Sequence, residues 1–331
     1  MIRKFISFAA MAVLMFSAGS CQKELPGVEE RESNICFTVH TGEQTKAIAD
    51  ATNIDILHYQ VYPENAENAA KPLAKGSVTD PDGDGIFTVD LTVIVDQTYN
   101  FIFWAQVDPE EGKEHYDVSD LRRVGIKTYD DELANDESRA AFYARKTYRI
   151  DGPEFNETVV LYRPFAQVNI GTTTYDVPSL NLSEPLKVNQ SAMKVYGVAD
   201  TFNTLTGEGE GSKEVLFQKN FTPNGDADAT DKILQVGGDG YYWLSMNYFI
   251  VNGTSDNVMV EATFHTTHGD IDVSVDNVPL KQNYRTNIIG DMLTAGAVFE
   301  IVIDENFQDP DSTVGTVTDD NIAGGSLIKI Q

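Results

Sequence analysis

Asp80, Asp82 and Asp84, in the run Asp80-Pro81-Asp82-Gly83-Asp84-Gly85, place carboxylates at alternate positions with a glycine sixth. The first half of a calcium-binding loop has that pattern, but such a loop closes with a carboxylate at its twelfth position, which here is Leu91. An Asp- and Gly-rich hairpin turn is the simpler reading, with calcium as the alternative. His265 and His268, with Asp270 beyond, form a second cluster. Their spacing lacks the i, i+4 step of helical zinc sites, and on a strand residues three apart face opposite ways. A turn carrying two histidines fits better. With 5 histidines and 2 cysteines, no catalytic triad and no zinc set assembles by spacing. Sequence distance alone pairs no two acids for glycoside hydrolysis. The reading is a non-enzymatic protein with no catalytic residue and no cofactor.

The cysteines have other chemistry open to them. Arg3 and Lys4 precede an apolar run from Phe5 to Phe16, and Ser17-Ala18-Gly19-Ser20 leads into Cys21. Residues 1–20 read as a secretory signal. The junction resembles a bacterial lipobox, in which the cysteine thiol is acylated and becomes the mature N-terminus. Each buried methylene of an acyl chain contributes about 0.8 kcal/mol to membrane attachment. Lys23-Glu24, followed by Glu29, Glu30 and Glu32, resembles the signal that sends lipoproteins to the outer face of the outer membrane. With Cys21 lipidated, Cys36 has no disulfide partner. Ile35, Phe37 and Val39 surround it in a strand-like pattern, so a buried apolar thiol is expected.

The elements that must position these residues are strands. Alternation marks Asn34–Thr41, Ile54–Tyr62, Ile86–Leu91, Thr158–Tyr162, Phe165–Gly171, Met193–Val198, Val258–Thr263 and Ile271–Val275. Tyr99–Val107 and Tyr241–Val251 are apolar on both faces and belong at the centre of a sandwich. Asp136–Ala144 predicts one short helix capped by Asp136. Residues 108–135 read as irregular, and Phe202–Gly211 as a turn region. Within Val278–Phe307, Pro279 is expected in a turn ahead of two strands that form a final hairpin.

The result is an all-β reading with few short helices. Residues 1–20 are a signal peptide, 21–33 a tether, 34–163 and 164–307 two β-sandwich domains in tandem, and 308–331 a C-terminal tail. The 331 residues are 41% hydrophobic, enough for real cores. Acidic residues outnumber basic ones 51 to 24, and the net charge of −27 excludes nucleic acid as a partner. Most of the 14 Tyr and 17 Phe fall in alternating strands, where core packing explains them more simply than sugar stacking.

Residues 99–105 (YNFIFWA), 161–171 (LYRPFAQVNIG), 241–248 (YYWLSMNY) and 283–307 (NYRTNIIGDMLTAGAVFEIVIDENF) resemble, in order, segments of fimbrillin-like lipoproteins from Bacteroidales-type bacteria. The resemblance implies transthyretin-like sandwiches, a lipid anchor in the outer membrane at the cell surface, and a place in type V pili. It implies cutting by a trypsin-like protease after Lys46, with Arg31 as the alternative. The cut removes the first strand with Ile35, Phe37 and Val39. Leu327, Ile328 and Ile330 of another subunit then fill the groove by strand addition. The alternative is a non-polymerising outer-membrane surface lipoprotein that binds glycans or a host ligand.

Overall fold

In the computed structural model, which describes residues 31–41, 54–67, 69–80, 83–109, 114–127, 136–173, 188–220, 234–293, 298–304, 315–316 and 327–330, nearly every element is a strand. In the N-terminal half, β1 (Glu32–His40) lies between β4 (Ile86–Ile94), antiparallel, and β9 (Glu154–Val160), parallel. Facing this three-stranded sheet is a four-stranded one of β3 (Ala74–Thr79), β2 (Ile56–Pro63), β5 (Gln97–Gln106) and β8 (Ala141–Ile150), in that order. Phe37 of β1 meets Phe101 and Phe103 of β5 edge-on at 4.9 and 5.3 Å, which seals the first sandwich.

The C-terminal half packs a four-stranded sheet on a seven-stranded one. The first runs β14 (Lys213–Asn220), β11 (Val188–Val198), β17 (Ser255–Thr266) and β18 (Gly269–Lys281). The second runs β15 (Leu234–Val236), β16 (Asp239–Ile250), β10 (Phe165–Thr172), β19 (Arg285–Asp291), β20 (Val298–Asp304), β22 (Leu327–Ile330) and β21 (Gly315–Thr316). Met193, Val195, Phe217, Val260 and Phe264 from one sheet share a buried core with Val168, Ile170, Leu244, Phe249 and Ile288 from the other. The final hairpin expected from the sequence is present as the antiparallel pair β19–β20.

A fifth sheet takes strands from both halves: β13 (Glu208–Glu210), β12 (Thr201–Asn203), β7 (Arg123–Ile126) and β6 (Tyr116–Asp117). Phe202 sits opposite Val124, Ile126 N donates to Asp200 O at 2.7 Å, and Thr204 Oγ1 donates to Leu121 O at 2.7 Å. Gln60 of β2 holds the N-terminal part of this sheet from below. Its Nε2 donates to Ser119 O at 3.0 Å, and its Oε1 accepts from Leu121 N at 2.9 Å. Gly209 allows the hairpin β12–β13 to lie against Val251, because a Cβ there would stand 2.0 Å from Val251 O.

This joint explains the two strands that are apolar on both faces. Phe101 and Phe103 of β5 face β1, while Trp104 turns the other way onto Tyr116 and Phe202. On β16, Leu244 and Phe249 enter the C-terminal core, whereas Trp243, Met246, Tyr248 and Ile250 join the core cluster of the N-terminal half.

Four expectations are corrected here. Residues 108–135 and 202–211, read as irregular and as a turn region, supply the paired strands β6, β7, β12 and β13. The helix expected over 136–144 is a single 3-10 turn, Glu137–Arg139, although Asp136 does cap it by accepting from Ser138 N. From Ala141 onward the chain pairs with β5, and that ladder outweighs local helix propensity. Pro279 stands inside β18 rather than in a turn; β18 is an edge strand, where a missing N–H is tolerated. Among the described residues no helix is long and apolar enough to cross a membrane.

The two tryptophans, Trp104 and Trp243, come from different halves and share one core cluster. Urea unfolding followed by their fluorescence should therefore show one transition. Phe202→Ala, which removes a ring 4.6 Å from Tyr143, should lower stability by about 3–5 kcal/mol. Two separate transitions in the unaltered protein would contradict a common core.

Candidate functional site

β1 alternates strictly. Ser33, Ile35, Phe37, Val39 and Thr41 face inward and are buried, while Asn34 and Thr38 are exposed and Cys36 is half-buried. Phe37 is the centre of the inner face, since its ring also lies 6.1 Å from both Tyr148 and Phe155. The strand closes two ladders at once: nine residue pairs with β4 and seven with β9. Its ends are tied by Val95 N donating to Arg31 O, Asn34 N to Pro153 O and Leu161 N to His40 O, each at 2.9 Å.

Cys36 corrects the expectation of a buried apolar thiol. It points outward, directly opposite Asp90 on β4 and Asn156 on β9. Its S–H donates to the Asp90 carboxylate, which raises the thiol pKa and keeps it a poor nucleophile at neutral pH. Around it lies a shallow cavity of about 560 Å³ lined by Asn34, Cys36, Asp90, Thr92, Glu154 and Asn156. Sequence reasoning missed this acidic outer rim; the alternation of Thr88, Asp90 and Thr92 against Phe87, Val89 and Leu91 is the signal that carries it.

Arg31, at the foot of β1, pairs with Asp96 at 3.1 Å, with both side chains more than half exposed. A cut there leaves β1 in place. Cys21, Lys46 and Asp82 lie outside the described residues. The carboxylate of Asp80 accepts from Gly83 N at 2.8 Å and Gly85 N at 2.7 Å, and Asp84 accepts from Ile86 N at 3.0 Å. These carboxylates hold the turn before β4 through the backbone. Among the described residues no three His, Cys, Asp or Glu side chains gather to hold a metal. Leu327, Ile328 and Ile330 fall in β22, which pairs in parallel with β20 of its own chain.

Three of the five histidines fall in two polar settings. His265 and Asp270 pair at 2.8 Å at the tip of the β17–β18 hairpin, with His268 in the turn itself. His115 Nε2 lies 2.9 Å from Ser138 Oγ and 3.6 Å from Asp136, which outwardly resembles a hydrolase triad. The polarity is wrong for one. Arg139 Nη1 donates to His115 Nδ1 at 3.3 Å, so the neutral ring carries its proton on Nε2 and donates it to Ser138. Burial and the Arg139 charge push His115 down to about 4, and Ser138 Oγ donates to Asp136 at 2.5 Å. No group here withdraws the serine proton toward the imidazole.

One buried polar ladder also escaped the sequence reading. On the seven-stranded sheet, Arg285 Nε donates to Gln167 Oε1 at 2.8 Å and Asn169 Nδ2 to Asn287 Oδ1 at 2.9 Å. Asn287 Nδ2 in turn donates to Asp304 Oδ2 at 2.6 Å. Burial pushes Asp304 up to about 6, against the opposing pull of Asn287 and of Arg285 across the ladder.

A sequence profile described as a family of unknown function, DUF6562, matches residues 26–322. No curated protein matches the chain. Among solved structures, a candidate polysaccharide-binding protein (DUF1812) from Bacteroides thetaiotaomicron is 14% identical with a TM-score of 0.47, covering 82% of this chain and 96% of its own. A candidate cell adhesion protein from Bacteroides eggerthii is 8% identical with a TM-score of 0.45, covering 86% and 98%. The tip fimbrial protein Mfa3 from Porphyromonas gingivalis, with a C-terminal truncation, is 10% identical with a TM-score of 0.45, covering 83% and 99%. A likeness of this depth carries no functional inference.

The polar ladder has a measurable sign. Asp304 sits above its ordinary value of 3.8, so between about pH 4 and 6 the folded state holds more protons than the unfolded one and stability falls as pH rises. His115 acts oppositely, since its stabilising contribution is present above 6.5 and lost as pH falls toward 4. Asp304→Asn keeps an acceptor for Asn287 and should flatten the Asp304 slope. Urea titrations at pH 4.5, 5.5 and 7 should find it more stable than the unaltered protein at pH 7 by roughly 1–3 kcal/mol. A stability difference between Asp304→Asn and the unaltered protein that is the same at all three values would remove Asp304 as a source of pH dependence.

Proposed function

We propose that this chain, which belongs to the family of unknown function DUF6562, is a fimbrillin-type surface lipoprotein. In this reading it serves as a structural subunit or adhesive accessory component of a type V pilus, acylated at Cys21 and held in the outer membrane or built into the fimbrium. The observation that carries the reading is the setting of β1. It is the middle strand of three, and among the described residues β4 and β9 are joined within their sheet through β1.

Proteolysis after Lys46 would release residues 21–46 and with them the whole of β1. Both flanking strands would then present unpaired backbone groups, the most adhesive surface a sheet can offer. The sites of Ile35, Phe37 and Val39 would be uncovered at the same time, each worth about 1.5–3 kcal/mol when filled. A strand carrying Leu327, Ile328 and Ile330 from a neighbouring subunit would restore pairing on both sides and part of the inner face by strand addition. One observation favours the second reading, a surface lipoprotein that binds glycans or host ligands without polymerising: β22 is paired with β20 in its own chain.

Mass spectrometry of surface material should separate the two. A stalk subunit is expected to begin at Ala47 and to lose that start in a Lys46→Gln variant. Ile330→Asp, which sets a carboxylate in an apolar slot, should abolish ladders on unheated gels. An intact, acylated Cys21 in every molecule would refute the stalk role.

A further inference from the structure

β1 and β22 occupy equivalent positions in two different sheets. β1 has a parallel neighbour, β9, on one side and an antiparallel neighbour, β4, on the other. β22 likewise has parallel β20 on one side and antiparallel β21 on the other. A strand moving from the second setting to the first keeps both hydrogen-bonding directions.

The sequences match as well. Ser326-Leu327-Ile328-Lys329-Ile330-Gln331 lies over Ser33-Asn34-Ile35-Cys36-Phe37-Thr38 with Ser on Ser, Ile on Ile and Ile on Phe at the three inward positions. A shift of two residues one way puts Ile328 into the Ser33 site, which is fully buried and sized for a hydroxymethyl group. Overfilling of that kind costs about 1–3 kcal/mol. A shift of two the other way puts Ile330 in the smaller Val39 site and Lys329 between Thr88 and Thr158. A shift of one turns Lys329 into the core. Only the first alignment sets Lys329 at the place of Cys36, opposite Asp90 and within the cavity that Glu154 also lines.

We infer that the C-terminal strand of a second copy enters the β1 groove in this single register, with Lys329 seated against Asp90 as the residue that fixes it. The inference rests on the strand-addition reading above and adds the partner and the register. In the uncut chain the thiol of Cys36 occupies the same spot as a neutral donor to Asp90, so the carboxylate is already placed for the incoming ammonium.

Two measurements on the full chain test this. Asp90→Lys and Lys329→Asp should each lower the yield of polymer ladders about two- to fivefold, the effect of an exposed ion pair, and the double exchange should restore it. Asp90 is exposed, so an unchanged thermal midpoint for Asp90→Lys confirms that the fold is intact. Carbodiimide coupling of assembled material, which joins an amine to a carboxylate with loss of water, should yield a peptide linking Lys329 of one copy to Asp90 of another. Ladders that vanish on deleting 327–331 but ignore both charge reversals, or Lys329 coupled only to other carboxylates or to a different protein, would overturn the register or the partner and leave strand addition standing. Ladders that survive the deletion would overturn strand addition itself.

Discussion

The N-terminal half depends on one strand being present. Without β1, β4 and β9 are two separate edges, and Phe101 and Phe103 lose the ring that covers them. Most strands could fray at one side and leave a sheet behind. This one cannot, because it supplies both ladders and the centre of the apolar face. A fold with so much invested in one nine-residue strand is sensitive to whatever happens to it.

The rest of the molecule is built to stay put. The shared sheet of β6, β7, β12 and β13 threads the two halves together, and Trp104, Tyr116, Phe165, Phe202 and Tyr248 form a continuous aromatic seam across the junction. Arg139 crosses it too, lying 5.1 Å over the ring of Phe217. The facing sheet of the first sandwich is thus braced from behind by the second half. Loss of β1 would uncover a bed that is supported on its far side.

How much of this was legible in the sequence follows from what sets each element. Tyr99–Val107 and Tyr241–Val251 announced central strands because both of their faces are apolar, and both are covered on two sides. The alternation around Ile35, Phe37 and Val39 identified the inner face of β1 for the same reason. What failed were features set by distant partners. Cys36 looked apolar from its neighbours in sequence, but alternation puts it on the opposite face from them. Phe202 sat in a segment rich in Gly and Thr, and only pairing with Val124, far away in the chain, makes it a strand. The buried ladder of Gln167, Asn169, Arg285, Asn287 and Asp304 went unread because alternation says which residues share a face, not whether that face meets water. At the candidate site, the inner residues were readable and the acidic rim was not, since Asp90 and Glu154 become neighbours only when β1 brings their strands together.

The parallel pairing of β1 with β9 has a consequence in time. Asn34 lies opposite Glu154, about 120 residues later in the chain, whereas β4 and β5 are joined by a tight turn. Contacts of such long range form late, because the chain between them must be ordered first. The strand made first is therefore among the last to be seated. During that interval a newly made molecule carries an open groove of its own, and any competing strand has its best chance before the fold has closed for the first time.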